Sequence, residues 1–165
     1  MIAEILRSNK LVLDYLRRLV ADVPDDCMTR QFAGVINHPA WVIGHIIYSC
    51  QAIGGEIGIA AWLPDDWGLK FGTGSVPLDK PDTYPDKKML LHALDDGQHR
   101  LETALSSALE SDMKKPLPDV CNREIFPTVG HAVLHILTAH TAVHVGQLTV
   151  WRRASMLGPL TESFI

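Results

Sequence analysis

The sequence predicts an all-α fold, a four-helix bundle with long crossing loops. Three observations predict it. Four segments carry apolar residues at helical spacing, and none shows the period-two alternation of a strand. The long connections are rich in Gly and Pro, which breaks helices rather than extending them. Helices of this kind must bury their apolar faces against one another. At 165 residues, 47% hydrophobic and 21% charged, the chain suffices for one domain over residues 1–165.

The first helix spans about residues 2–21. Ile5, Leu6, Leu13, Leu16, Leu19 and Val20 recur on one side, with Glu4, Arg7, Lys10, Asp14, Arg17 and Arg18 between them, and Pro24-Asp25-Asp26 ends it. The second spans about 39–54 and opens on Asn37-His38-Pro39, with Pro39 near the first helical position. Trp41, Val42, Ile43, Ile46, Ile47 and Tyr48 make it apolar nearly all round, the mark of a helix buried between others. Residues 55–85 hold five Gly, four Pro and two Trp and read as a long irregular loop, a feature often functional in compact domains.

The third helix spans about 86–110. Met89, Ala93, Leu94, Leu101, Leu105 and Ala108 form its buried stripe, interrupted by Gly97. A second loop, 111–126, contains Pro116 and Pro118. The fourth helix spans about 128–156 and stops before Gly158-Pro159.

Composition narrows the function. A net charge of −4 argues against a nucleic-acid binder with a broad basic surface. Cys27, Cys50 and Cys121 are isolated, which makes neither a disulfide framework nor a cysteine zinc site; a reduced, cytoplasmic setting is the simplest reading. The N-terminus lacks the ordered regions of a signal peptide. The uncharged stretch from Gln31 to Gly55 carries Asn37, His38, Pro39, His45 and Gln51 and suits a buried helix better than a membrane span.

The unusual count is eight histidines. On an α-helix, residues four apart share one face about 6 Å apart along the axis. The fourth helix has two such pairs. His140 and His144 share the face of Val133, Ile136, Leu137, Val143, Gln147 and Trp151, which is the bundle side. His131 and His135 lie on the opposite face, with Thr138, Ala142, Gly146, Thr149 and Arg153. An inward H-x-x-x-H pair can chelate a first-row metal or sit in the core as hydrogen-bonded histidines. A metal needs a third ligand. His45, midway along the second helix, is the natural candidate, with His38 about 10 Å away along the same helix. Asp96-x-x-His99 does not make a di-iron bundle, because the chain has no Glu-x-x-His.

Asn37-His38-Pro39-Ala40-Trp41-Val42-Ile43-Gly44-His45-Ile46 resembles the second-helix motif of the DinB/YfiT-like family. Ala139-His140-Thr141-Ala142-Val143-His144-Val145-Gly146-Gln147-Leu148, followed by Trp151-Arg152-Arg153 and Leu157-Gly158, resembles that family's H-x-x-x-H-x-G-Q-L signature. The order of the motifs, their separation and the loop ending in Tyr84-Pro85 also fit. The resemblance implies an up-down-down-up four-helix bundle, often a homodimer, with a divalent metal, usually nickel or zinc, on His45, His140 and His144. It further implies thiol-dependent transfer or isomerisation with a low-molecular-weight thiol as a second cofactor.

Three functions follow. The first is transfer of a low-molecular-weight thiol to an electrophilic small-molecule substrate. The second is metal-dependent hydrolysis. The third is a metal-stabilised bundle that binds or sequesters without catalysis. No residue is assigned as catalytic acid or base. Gln147 can orient a ligand or cap a core polar network. Tyr48 and Ser49 flank His45 and could reach the cavity, while Trp41 and Trp151 read as packing residues. Trp62, Trp67 and Phe71 are candidate pocket walls. Arg152, Arg123 and Lys70 are candidate cations for an anionic thiol. The small outward face of the fourth helix is expected to meet another helix or a second subunit.

Overall fold

A computed structural model describes residues 1–32 and 34–160. Its elements are α1 (Ile2–Val20), α2 (Pro39–Glu56), α3 (Trp67–Phe71), α4 (Lys87–Ser106), α5 (Glu110–Met113), α6 (Val129–Leu134), a π-helical turn (His135–His140) and α7 (Thr141–Ala154). Short 3-10 turns lie at Asp25–Cys27, Pro81–Thr83 and Val120–Asn122. Among the described residues there is no strand, only isolated bridges at Phe32–Val35 and Pro116–Thr128. The fold is all-α, as the periodicity predicts.

The long helices pack in a ring: α1 against α4 and α7, and α2 against α4 and α7. Leu13, Leu16, Ile43, Ile47, Leu94 and Leu148 are among the fully buried side chains that fill the centre. Helix α2 is covered on nearly every side, because α3 packs on it as well. Among the described residues, no helix is long and apolar enough to cross a membrane.

Local chemistry sets the helix starts. The His38 ring caps α2, its Nδ1 accepting the Trp41 backbone N–H at 3.2 Å, with Pro39 at the first helical position. Asp86 caps α4 by accepting the Met89 N–H at 2.7 Å. Gly97, mid-α4, lies against Trp62, whose indole sits between Gly97 and Gly54 of α2, with Arg100 over its ring.

Two expectations are revised. The third helix stops at Ser106, Glu110–Met113 forms a separate turn, and Met89, expected in the buried stripe, is 60% exposed. The fourth is not one α-helix but α6, the π turn and α7. A π turn closes its hydrogen bonds over five residues instead of four, so the register of an unbroken helix slips across it. The core side after the turn belongs to Thr141, Val145, Leu148, Trp151 and Arg152, whereas Val143, expected inside, is 61% exposed. His140 and His144 stand half-buried at the margin of that face. On the far side, His131, His135, Ala142 and Gly146 are exposed, as expected, and the single chain leaves them uncovered.

Candidate metal centre

The seam between α2 and α7 brings His45, His140 and His144 together, each offering one nitrogen within 4.8 Å of the others. His45 Nε2 faces His140 Nε2 at 3.2 Å. His45 is buried and its two partners are half-buried. The long 57–86 connection passes over the same face of α2, and its 67–78 stretch supplies partners to three side chains there. Leu78 O meets His38 Nε2 at 3.1 Å. Ser75 Oγ accepts from Trp41 Nε1 at 2.9 Å. Phe71 O lies 2.6 Å from His45 Nδ1.

These partners set tautomers. A carbonyl oxygen only accepts, so His45 carries its hydrogen on Nδ1 and presents a bare lone pair at Nε2. His144 Nδ1 faces Gln147 Oε1 at 3.1 Å; with that oxygen as acceptor, the His144 hydrogen sits on Nδ1 and Nε2 carries none. His140 Nδ1 is buried with no hydrogen-bond partner, a cost of about 1–3 kcal/mol of the kind that marks functional sites. Burial holds all three rings below the usual histidine range. His140 is pushed down to about 4, first by burial and then by the charges of His144, His45 and His135. Three neutral imidazoles are the protonation state that metal binding requires.

The donor set fits a divalent metal. Two imidazole nitrogens on one tetrahedral ion, each about 2.0–2.1 Å from it, stand about 3.3 Å apart, close to the 3.2 Å between His45 and His140. Three nitrogen donors would leave an ion held there able to take a further ligand.

A family model described as the DinB superfamily matches residues 10–148. The chain belongs to the DinB superfamily. No curated protein and no solved structure matches it. The matched segment of this DinB-superfamily chain includes the whole histidine trio and Gln147.

The other expected residues fall elsewhere. Gln147 touches the trio and also accepts from Asn37 Nδ2 at 2.9 Å. Ser49 is buried, with its hydroxyl donating to the His45 backbone oxygen at 2.9 Å, so it serves the helix rather than a cavity. The Tyr48 ring packs beside Gly68 and Gly72. Trp62 fills the α2–α4 seam, away from the α2–α7 seam of the histidines. Trp67 donates to Gly44 O at 3.1 Å and packs on Phe71. The Phe71 ring is fully buried, and it is its backbone oxygen that meets the site.

The candidate cations are engaged as well. Arg152 is buried and held by Asp22, Leu19 O and Gly158 O, and hydrogen bonds from it hold the Asp22 carboxyl below the usual carboxylate range. Arg123 donates to Leu117 O. Lys70 pairs with Asp66 at 2.7 Å.

Among the remaining histidines, His92 and His99 are exposed on α4. His131 pairs with Thr128 Oγ1 at 2.8 Å. His135 is exposed, but its ring lies 5.1 Å from that of Phe126 and 6.3 Å from that of His140. His140 lies five positions after His135, the span of one π-helical hydrogen bond. Sequence reasoning missed this neighbour, as it missed Asn37 and the Phe71 carbonyl. Trp41 does more than pack: its indole stacks on His45 at 4.8 Å, with 7° between the planes.

Proposed function

We propose that His45, His140 and His144 hold a divalent metal, nickel or zinc, and that the protein transfers a low-molecular-weight thiol to an electrophilic small molecule. The observation that supports this is that His45 and His144 each meet an oxygen at Nδ1, which turns Nε2 of each toward the other rings as a possible ligand atom. A divalent ion held there supplies a Lewis acid that keeps a thiol as its thiolate, the nucleophile that displaces a leaving group from an electrophilic carbon.

The chain's own residues prepare the site. The Phe71 carbonyl and Gln147 hold two rings in orientation. Trp41 covers one face of His45 and excludes water there. His140 and His144 are half-buried, so that part of each ring meets solvent. Metal-dependent hydrolysis is the second reading, with the His135 imidazole, 6.3 Å from the His140 ring, as the acid or base it calls for.

Elemental analysis of protein purified without a histidine tag tests the metal. About one equivalent is expected, lost in His45→Ala and His144→Ala and kept in His131→Ala. Metal content indifferent to His45→Ala overturns the site. A thiol panel with chloro-dinitrobenzene tests the reaction. Turnover that disappears on chelation supports transfer; metal-replete protein inert with every thiol removes the transferase reading and leaves the metal reading standing.

A further inference from the structure

Asn37 stands two residues before α2, half-buried, and its Nδ2 donates to Gln147 Oε1 at 2.9 Å. The same oxygen lies 3.1 Å from His144 Nδ1. One amide oxygen therefore takes two donors, one from each side of the α2–α7 seam. We propose that Asn37 is a positioning residue for the metal centre, selecting through Gln147 the His144 tautomer that leaves Nε2 free to ligate. This rests on the three-histidine metal reading above.

The argument turns on the two ends of an amide. Gln147 can present either its oxygen or its NH2 group to the seam. With the oxygen inward, His144 holds its hydrogen on Nδ1 and offers a lone pair at Nε2. With the NH2 inward, His144 Nδ1 must accept, its hydrogen moves to Nε2, and that nitrogen is blocked. Asn37 is coupled to that choice. With the Asn37 NH2 toward the seam, the Gln147 oxygen is held in place; the opposite Gln147 orientation alone would set two NH2 groups face to face. Turning both amides together gives the other self-consistent arrangement, the one in which His144 cannot ligate. His45 has no such freedom, because a main-chain carbonyl orients it.

Asn37→Asp separates this role from a structural or purely electrostatic one. The side chain keeps its shape, but an ionised carboxylate only accepts. Gln147 must then turn its NH2 inward, and His144 moves its hydrogen to Nε2. Nickel or cobalt affinity is expected to fall about tenfold to a hundredfold, the usual scale for an outer partner of a metal ligand. Simple Coulomb attraction predicts the reverse, because a new negative charge near a divalent cation tightens binding. Gln147→Glu offers an acceptor to both donors and is expected to keep wild-type affinity or exceed it.

The second readout needs no metal. Long-range proton–nitrogen NMR of the metal-free protein should place the His144 hydrogen on Nδ1 in wild type and on Nε2 in Asn37→Asp. Should Asn37→Asp fail to fold, Asn37→Ala is expected to give mixed tautomers and a severalfold loss of affinity. Wild-type or tighter binding in Asn37→Asp, with an unchanged His144 tautomer, overturns the proposal. If instead His45→Ala binds metal as well as wild type, the metal reading fails, and the NMR comparison still reports on Asn37 alone.

Discussion

The Phe71 carbonyl oxygen lies 2.6 Å from His45 Nδ1, and it is held there because the Phe71 ring lies over Gly44, one residue before His45. A Cβ on Gly44 would fall 2.1 Å from that ring, so only glycine admits the contact. The Trp67 indole closes it by donating to the Gly44 carbonyl.

Gly44→Ala should therefore act on stability and on the site together. Forcing the Phe71 ring away is an overpacking change, expected to cost about 1–3 kcal/mol in urea denaturation. The carbonyl moves with the ring, so nickel affinity measured by calorimetry should fall about tenfold or more. Wild-type affinity in a destabilised Gly44→Ala would show that the Phe71 carbonyl does not orient His45.

Gly97 should behave oppositely. A Cβ there would meet Cys50 Cβ and Trp62 Cζ2 at 3.7 Å, ordinary contact distances. The position is inside α4, where Ala is favoured over Gly by up to about 1 kcal/mol. Gly97→Ala is expected to raise the thermal midpoint with no change in metal content. A lowered midpoint would mean that the Trp62 packing tolerates no extra carbon.

His38 gives the chain a pH-dependent stability. Its ring is fully buried. Nδ1 accepts from Trp41 N–H and Nε2–H donates to Leu78 O, so only the neutral form fits, and burial pushes its pKa down to about 4. An unfolded histidine titrates near 6.5. Between these values the unfolded chain holds the extra proton, so stability is complete above pH 6.5, falls with pH, and levels off below about 4. In metal-free protein His140 contributes in the same direction; Asp22, held low by Arg152, adds its loss at lower pH. Urea midpoints from pH 7.5 to 4.5 measure the slope. His38→Asn, which can still cap α2 but does not titrate, should make it shallower, and an unchanged slope would assign the dependence elsewhere.

Much of the bundle was legible in the residues. The stripe Ile5, Leu13, Leu16 and Leu19 marked α1, and the all-round apolar run Trp41–Ile47 marked the most covered helix. His140 and His144 are visible as a pair because i, i+4 geometry is local. The error over Val143 has an equally local cause. Nothing in the residue pattern announces a π turn at His135–His140, so a face drawn for an unbroken helix goes astray beyond it. The loop aromatics were legible as residues needing cover, but not as to role: Trp62 and Trp67 are packed, and Phe71 acts through a main-chain atom that any residue possesses.

By itself, then, the sequence determined the helices, the all-α class and the three histidines worth bringing together, because hydrophobic periodicity and side-chain spacing are properties of neighbouring residues. The tertiary structure alone decided how those histidines are held. The Phe71 carbonyl reaches His45 across 26 residues, and Asn37 reaches Gln147 across 110. Such pairings depend on the path of a loop and the seam between two helices, and neither has a period to read. The orientation of a ring, and hence which nitrogen is free, is settled by whichever acceptor the fold happens to bring beside it.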